Sequence, residues 1–341
     1  MKAILVVGGT GAQGAAVVRV LASTGDFGII LFTRSADSSQ CQELLKLPDV
    51  EVAINSAPQG YDLEAFEAAA RKSYGVFLNT DGFSLGEEAE TYWGIRLYET
   101  AVKARVQHVV YSGLDDHFRN SGYDPKFYVG HFQGKARVQA YIQGQPKSLT
   151  AWTITRTGPY IEMLAEGMLP SQDANGRYIF AIPLEEGEMV FIHLEDYGRY
   201  IEWIFRNPAR SAGLDLGIGI AHTSGKDIAE AFTAVTGKEA IYQSVPFDAW
   251  AKAAFSSFPN GADTKVGFRS GKADENLNMT YGQNFEGFFN LYKASKGNVG
   301  LVKRDYQLLD EILPDRVKSA KEWMEKVGYK GERKALLKEF R

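Results

Sequence analysis

The sequence predicts an α/β protein built on a doubly wound parallel sheet, and three observations carry that prediction. An apolar run at residues 4–7 leads directly into a glycine-rich turn and then an amphipathic segment. Strand-like and helix-like segments then alternate as far as Arg156, in the order that βαβ units require. After Gly158-Pro159 the pattern loosens into short strands and helices, which indicates a smaller α/β C-terminal lobe.

The glycine-rich turn reads GGTGAQG over residues 8–14. Strand, glycine turn and helix in this order form the Rossmann-type dinucleotide fingerprint, because the turn directs backbone N–H groups and a helix N-terminus at a pyrophosphate. The glycine spacing predicts a tight exit from the strand at position 8, close phosphate approach at 11 and helix–strand packing at 14. We expect the cofactor contacts of this turn to come from Gly8, Thr10, Gly11, Ala12, Gln13 and Gly14.

The end of the second strand indicates which dinucleotide binds. The apolar segment at residues 28–33 ends in Arg34-Ser35, about 20 residues after the glycine turn, where an NAD site usually has an acidic residue. An arginine there accommodates a 2′-phosphate, so the sequence favours NADP(H). The alternative is that Arg34 is a solvated side chain at a strand end.

The remaining strands of the sheet follow from apolar segments at residues 50–54, 75–79, 107–111 and 150–156. Helical segments at 62–72, 86–104 and 132–144 connect them. In the C-terminal half we expect strands at 178–182 and 189–192, and helices at 194–206, 226–236 and 246–254. We therefore assign residues 1–158 to a dinucleotide-binding domain and 159–341 to a smaller lobe integrated with it, which covers the substrate side of the sheet.

Composition excludes several classes of protein. The net charge of −4 argues against a nucleic-acid surface, and the basic residues at the C-terminal end alternate with Glu, as on a solvated helix face or a loose end. No apolar run approaches a membrane span, and the apolar strand at the start argues against a secretory leader. The single Cys41 fits a reducing compartment, and the five histidines show no metal-ligand spacing. We expect a cytoplasmic protein without metal, with a nuclear location also open.

Five motifs in order resemble the NmrA-like family, an atypical branch of the short-chain dehydrogenase/reductase superfamily. They are Gly8–Gly14, Arg34, Tyr111-Ser112-Gly113-Leu114, His131-Phe132-Gln133-Gly134-Lys135 and Gly158-Pro159-Tyr160-Ile161-Glu162. The resemblance extends over roughly residues 1–310 and implies an NADP(H)-binding Rossmann domain with a smaller lobe. The family includes nitrogen-metabolite regulators, redox sensors and reductases of natural-product pathways (secondary metabolism), so it implies the fold more firmly than the function.

The resemblance raises a catalytic question at His131. Typical short-chain reductases have a tyrosine proton donor four residues before the lysine, whereas this chain has His131 before Lys135. His131 is either a general acid or a structural residue, and Lys135 holds cofactor under both readings. Ser112 would orient the substrate, and Tyr128 is a substitute donor.

Four further contacts are implied by position in the family. Asn79 and Thr80, at the end of the fourth strand, would pass beneath the ribose and pyrophosphate, and Tyr160 and Glu162 would reach the nicotinamide end. Glu162 has two readings. It either orients the carboxamide or acts as an acid or base, or else it faces water at a helix start.

A substrate pocket would be lined by aromatic and apolar residues near the strand ends. The candidates are Phe83, Tyr123, Tyr128 and Met163. Such a lining predicts a bulky, apolar or aromatic small molecule. Aromatic residues at this spacing are also common in protein cores.

Three functions stay open at this point. The first is an NADPH-dependent reductase of a C=O, C=N or activated C=C bond. The second is an NADP(H) sensor without turnover that docks a regulatory protein. The third is a non-redox acid/base catalyst, for a cyclisation or rearrangement, in which NADP(H) shapes the site.

Overall fold

A seven-stranded parallel sheet is the centre of the protein, in a computed structural model that describes residues 1–269 and 278–336. The strands of the described residues, in chain order, are β1 Lys2–Val7, β2 Phe27–Thr33, β3 Val50–Ile54, β4 Gly75–Leu78, β5 His108–Leu114, β6 Ala151–Thr157, β7 Ser171–Gln172, β8 Tyr178–Ile182, β9 Glu188–Val190, β10 Asp215–Gly217, β11 His222–Ser224 and β12 Ala240–Ser244. The central sheet has the order β10-β6-β5-β4-β1-β2-β3. The predicted doubly wound α/β class is confirmed.

Helices cover both faces of this sheet and build much of the smaller lobe. In chain order they are α1 Ala12–Ser23, α2 Ser39–Leu44, α3 Leu63–Ala70, α4 Gly82–Lys103, α5 His117–Asn120, α6 Gly130–Gln143, α7 Leu194–Arg206, α8 Pro208–Ser211, α9 Gly225–Thr236, α10 Phe247–Ala254, α11 Tyr281–Lys293, α12 Tyr306–Ile312 and α13 Ala320–Val327. One face of the sheet carries α1 and α7, and the other carries α3, α4 and α6.

The elements near the carboxyl ends of the strands differ most from the sequence-based bounds. Strand β5 extends beyond Tyr111 to Leu114, and all seven of its residues are buried. Helix α4 begins at Gly82 rather than Gly86, because the Asp81 carboxylate accepts hydrogen bonds from two backbone N–H groups of its first turn. Gly86 is a kink inside this helix, with φ of +76°.

The central sheet uses chain from both sides of residue 158. Helix α7 packs against α1, and β10 pairs in parallel with β6. The apolar side chains of α7, including Tyr197 and Ile201, join the core beneath α1 and β1, so this helix belongs to the sheet and does not cover its substrate side. The chain therefore returns to the sheet after its first excursion into the smaller lobe.

The smaller lobe has its own apolar core. Strands β7, β8 and β12 form a three-stranded sheet, β9 and β11 pair antiparallel, and α9, α11 and α13 pack with them. Helix α13 ends at Gly328 in a left-handed C-cap, and no helix follows in residues 329–336. The basic residues Lys338 and Arg341 of the predicted C-terminal helix face or loose end lie outside the described residues.

Candidate functional site

The glycine turn is built as a close-packed cradle. Gly8 has φ of +74°, and a Cβ there would lie 2.5 Å from the carbonyl oxygen of Asn79. A Cβ on Gly14 would overlap the carbonyl oxygen of Gly8. At Gly11 a Cβ meets only that same oxygen, at 3.3 Å, so this glycine faces the open side of the turn. Gly8 and Gly14 thus form the tight turn and the close helix packing expected of them, and Gly11 leaves an open face.

The N-terminus of α1 has the chemistry of an anion site. Gly11 is its N-cap, and no side chain of the described residues caps it. The backbone N–H groups of Ala12, Gln13 and Gly14 belong to the first turn, where intrahelical partners are missing. Thr10 precedes them and is buried. The backbone N–H groups of this turn can bind a pyrophosphate. Its tight positions leave no room for a side chain, so the donors there are main-chain groups.

Lys135 joins the ends of β4 and β5. Its ammonium donates to the carbonyl oxygens of Thr80 at 2.9 Å and Ser112 at 3.2 Å, and to Asn79 Oδ1 at 3.3 Å. Four predicted site residues therefore meet at one point beside the glycine turn. The contact to Asn79 is the longest of these three.

Glu90 is a member of this cluster that sequence reasoning missed. It lies on α4 with 0% exposure, and its Oε1 is 3.2 Å from Lys135 Nζ and accepts from the Thr80 hydroxyl at 2.8 Å. Burial raises the pKa of this carboxyl, and the charge of Lys135 opposes that rise. In the sequence Glu90 follows Glu87 and Glu88 and looks like part of a solvated helix face.

Two glycines make the space for that carboxylate. A Cβ on Gly82 would overlap Glu90 Oε2, and a Cβ on Gly134 would lie 3.0 Å from it. These glycines on α4 and α6 are the signal that could have located the buried acid. Lys135 thus has four acceptors for three N–H donors, and its charge is neutralised inside the protein.

Ser112 points away from the lysine. Its neighbour Tyr111 packs with the core on the α4 and α6 side, so the alternation of β5 sends the Ser112 side chain to the α1 face. There its hydroxyl donates to Gln13 Oε1 at 2.7 Å, and Ser112 is 1% exposed. This corrects the expectation that Ser112 orients a substrate, because the hydroxyl is committed to α1.

His131 lies in an aromatic cluster at the start of α6. Its ring is 4.5 Å from that of Phe83 and also packs against Phe285, and its backbone N–H donates to Asn284 Oδ1 at 3.3 Å. His131 Nδ1 lies 2.8 Å from Asn284 Nδ2 and 3.1 Å from Asn284 Oδ1, and we assign the shorter contact as a hydrogen bond donated by Nδ2. We therefore assign the proton of the neutral ring to Nε2.

The charge state of His131 follows from the same surroundings. Burial lowers its pKa to about 4, the Asn284 contact works in the opposite direction, and the charge of Lys135 lowers the pKa further. The imidazole is neutral at pH 7. The hypothesis of an imidazolium general acid is therefore corrected to that of a neutral hydrogen-bond donor.

Tyr128 and Tyr123 do not meet the other candidates. The Tyr128 hydroxyl donates to Glu87 Oε1 at 2.5 Å, and burial together with this carboxylate raises its pKa to about 12. Tyr123 is 61% exposed and packs edge-on against Phe118. These contacts correct the expectation that Tyr128 substitutes as a proton donor and that Tyr123 lines a pocket.

The residues after β6 pack against α7. Tyr160 pairs with Ile192 in an isolated bridge, and burial raises its pKa. Glu162 Oε1 accepts from the backbone N–H of Leu194 at 2.9 Å, and burial raises the pKa of this carboxyl. Glu162 therefore caps α7 instead of facing water.

Met163 and Phe83 contribute to two different apolar clusters. Met163 packs at the edge of the core of the smaller lobe. Phe83 stacks with Tyr281 and Phe285 of α11, at ring distances of 5.6 and 5.8 Å. Only Phe83, of the four predicted substrate residues, lies against His131.

Within the described residues no helix is long and apolar enough to cross a membrane. In the same part of the chain no group of three or more His, Cys, Asp and Glu side chains is arranged to hold a metal.

The fold and the cradle together define a Rossmann-type dinucleotide-binding protein. The sequence profile of the NmrA-like family matches residues 1–269, so the chain belongs to the NmrA-like family and the resemblance is confirmed. It is 29% identical over 255 residues to an NmrA-like family domain-containing oxidoreductase, himF, of Aspergillus japonicus, which covers 71% of this chain and 75% of the relative. Over 287 residues it is 28% identical to the oxidoreductase FrzB of Cladobotryum sp., covering 78% and 82%.

Solved structures show the same fold at lower identity. NmrA, a negative transcriptional regulator crystallised with NADP, has a TM-score of 0.72 and 19% identity over 96% of this chain and 95% of NmrA. The NADPH-dependent quinone oxidoreductase QOR2 of Escherichia coli, crystallised with NADPH, has a TM-score of 0.64 and 18% identity over 96% of this chain and 100% of QOR2. NmrA has also been crystallised with NAD.

Proposed function

We propose that this protein binds NADP(H) at the carboxyl ends of β1, β2, β4 and β5 and reduces a bond of a bulky, apolar or aromatic organic molecule. The observation that carries the proposal is the convergence of the glycine cradle and Lys135 on the same strand ends. The names of himF and FrzB as oxidoreductases support it. When bound, NADPH would supply hydride to the acceptor carbon.

Different residues would bind the two ends of the cofactor. The N–H groups at the start of α1 would hold the pyrophosphate, and Arg34 would hold the 2′-phosphate. Lys135 would hold the nicotinamide-side ribose, with Asn79 turning aside. Tyr160 and Glu162 follow β6 and would form a wall at the nicotinamide end, supported by their contacts with Ile192 and with Leu194 of α7.

The site favours a substrate that needs little help from an acid. His131 is neutral and offers one N–H, so it can orient an acceptor atom but holds no extra proton to give at pH 7. The nitrogen of a C=N bond is protonated readily near neutral pH, and the resulting iminium accepts hydride without a proton donor from the protein. Of the three bond classes, we therefore place C=N reduction first, then an activated C=C bond, and C=O last.

A turnover panel tests this proposal. Consumption of NADPH would be followed with a cyclic aromatic imine, the matching ketone and a quinone, using the unmodified protein and Gly11→Val as the cofactor-binding control. We expect the imine to be reduced at least 10-fold faster than the ketone, since a single general acid is worth roughly 10²–10⁴-fold and this site lacks one. A ketone reduced faster than the imine would contradict the assignment.

A second function is favoured by one observation: the Tyr128 hydroxyl is bound to Glu87, and the neutral His131 has no extra proton to give at pH 7. An NADP(H) sensor that docks a regulatory protein needs the cofactor site and no donor. It predicts different affinities for NADP⁺ and NADPH, measured by calorimetry, with no turnover of any panel member. A non-redox catalyst using Glu162 would instead transform a substrate without consuming NADPH.

A further inference from the structure

Residues 264–269 of the smaller lobe lie against the beginning of α4, next to the carboxyl end of β4. The backbone N–H of Gly267 donates to the Phe83 carbonyl at 2.8 Å, and that of Arg269 donates to the Ser84 carbonyl at 2.8 Å. The position of Arg269 is therefore set by main-chain hydrogen bonds. It lies near the carboxyl ends of the parallel strands, where the candidate cofactor cleft is, although it is far in sequence from those strands.

The kink in α4 accommodates this segment. Gly86 is in the left-handed region, and a Cβ there would lie 2.7 Å from Asn278 Oδ1 and 3.2 Å from Gly267 Cα. A side chain at position 86 would push Gly267 and Asn278 away from the helix. The kink therefore has a docking role, and the docked segment is part of the fold.

The segment brings a second guanidinium to the side of the cleft where Arg34 lies. Burial of part of Arg34 lowers its pKa, and the positive charge of Arg269 lowers it further. The Asp81 carboxylate and the Tyr61 hydroxyl act in the opposite direction, but Asp81 is already the cap of α4. Neither arginine forms an ion pair with a carboxylate of residues 1–269 or 278–336.

Two neighbouring like charges that pair with no carboxylate of the described residues fit a dianion better than a hydroxyl. Each guanidinium offers parallel N–H donors with the geometry of a phosphate edge. A ribose 2′-hydroxyl would leave the repulsion between the arginines in place, whereas a phosphate monoester removes it. The chemistry that fits between β2 and the start of α4 is therefore a phosphate monoester.

We propose that Arg269 binds the 2′-phosphate of NADP(H) together with Arg34, so that the smaller lobe helps to determine cofactor specificity. This inference rests on the proposed function, since it assumes that NADP(H) occupies the cleft. The phosphate would lie between an arginine that follows β2 and one held at residue 84 of α4. A direct consequence is that cofactor choice depends on residues more than 200 positions apart in the sequence.

The test is a pair of affinities, for NADPH and for NADH, measured by calorimetry at low ionic strength. Arg269→Ala and Arg269→Gln are compared with the unmodified protein and with Lys265→Ala. Lys265 is an exposed cation of the same segment, four residues away, whose ammonium donates to the Asn278 carbonyl, and Lys265→Ala removes one positive charge. We expect both Arg269 variants to bind NADPH about 10-fold more weakly or worse, as for loss of a charge-assisted hydrogen bond, with NADH affinity unchanged within about 2-fold.

The outcomes separate the inference from the function on which it rests. Unchanged NADPH affinity in both Arg269 variants, with tight binding by the unmodified protein, overturns the role of Arg269 alone. Equal losses for NADPH and NADH, or an equal loss in Lys265→Ala, would assign the effect to the docked segment or to net charge and also overturn it. Failure of the unmodified protein to bind NADPH overturns the proposed function itself.

Discussion

The two ends of the candidate site are built by different means. At the glycine turn, backbone packs against backbone: strand, turn and helix follow one another in the first 23 residues, and Asn79 at the end of β4 closes the turn at Gly8. At the chemical end, His131 depends on Asn284, a residue 153 positions away on α11. The glycine turn is largely local in sequence, whereas the chemical end is assembled by the smaller lobe.

This difference indicates which end of the site can be altered by substitution without loss of the fold. A backbone cradle tolerates few substitutions, because every added atom meets a main-chain oxygen. A side-chain cluster such as that around His131 can be altered one residue at a time without loss of the fold. Four predictions test this difference. They begin with the ion pair of Lys135, which lies between the two ends, and finish with His131 at the chemical end.

Lys135→Met should have the largest effect. It leaves the fully buried Glu90 without a counter-ion, and breaking such a pair lowers the free energy of unfolding by about 3–5 kcal/mol. Because the pKa of Glu90 is already raised, protonation relieves this deficit, so the loss should shrink as the pH falls. Urea unfolding at pH 7 and pH 5 measures both effects.

Two variants serve as controls for that measurement. The double variant Lys135→Met with Glu90→Gln should recover most of the stability, because the amide keeps an acceptor for Thr80 and carries no charge. Lys103→Met breaks an ion pair with Glu67 whose lysine is exposed, and should cost less than about 1 kcal/mol. A similar loss in Lys103→Met would mean that burial of the pair is unimportant.

Gly11→Val should weaken NADPH binding more than about 100-fold while the protein stays folded, because the new side chain occupies the path of the pyrophosphate. Gly14→Val should instead lower stability by several kcal/mol, since its Cβ overlaps Gly8. NADPH fluorescence titration and thermal unfolding measure the two. Gly144→Ala, at the far end of α6, is the control and should change neither. Retained NADPH binding in Gly11→Val would place the dinucleotide elsewhere.

Arg34→Ala should reduce the preference for NADPH over NADH by about 30–150-fold, the cost of one charge-assisted bidentate contact. Calorimetry with both cofactors gives the ratio. Arg71→Ala removes an exposed guanidinium that pairs with Glu67 and should leave the ratio unchanged. Equal affinity of the unmodified protein for the two cofactors would be incompatible with a 2′-phosphate site at Arg34.

His131→Phe should have the smallest effect. It keeps the aromatic packing against Phe83 and should spare NADPH binding, while turnover falls about 10-fold for loss of one neutral hydrogen bond. With a pKa of about 4 the ring is neutral from pH 6 to 8, so both proteins should have the same pH profile in that range. A profile in the unmodified protein that falls through pH 6–7 as pH rises, and is absent from the variant, would restore the imidazolium acid.

The strands of the sheet could be predicted from the sequence because the patterns that indicate them are local. Apolar runs such as residues 4–7 are buried whatever their partners, and an apolar strand bounded by a glycine turn has few alternatives. The same holds for α3, where Asp62 caps the first turn as expected. Helix α7 shows what a local pattern cannot predict. The spacing of its apolar residues predicts a helix but does not indicate which core the helix joins.

The sequence by itself determined the parallel sheet, the glycine cradle, the positions of Arg34 and Lys135, and membership of the NmrA-like family. Only the tertiary structure decided that Ser112 faces α1, that Glu90 is a buried counter-ion and that His131 is neutral. The reason is physical. Backbone conformation follows from neighbours in sequence, whereas charge state and side-chain direction depend on burial and on partners such as Asn284, which folding brings from distant parts of the chain.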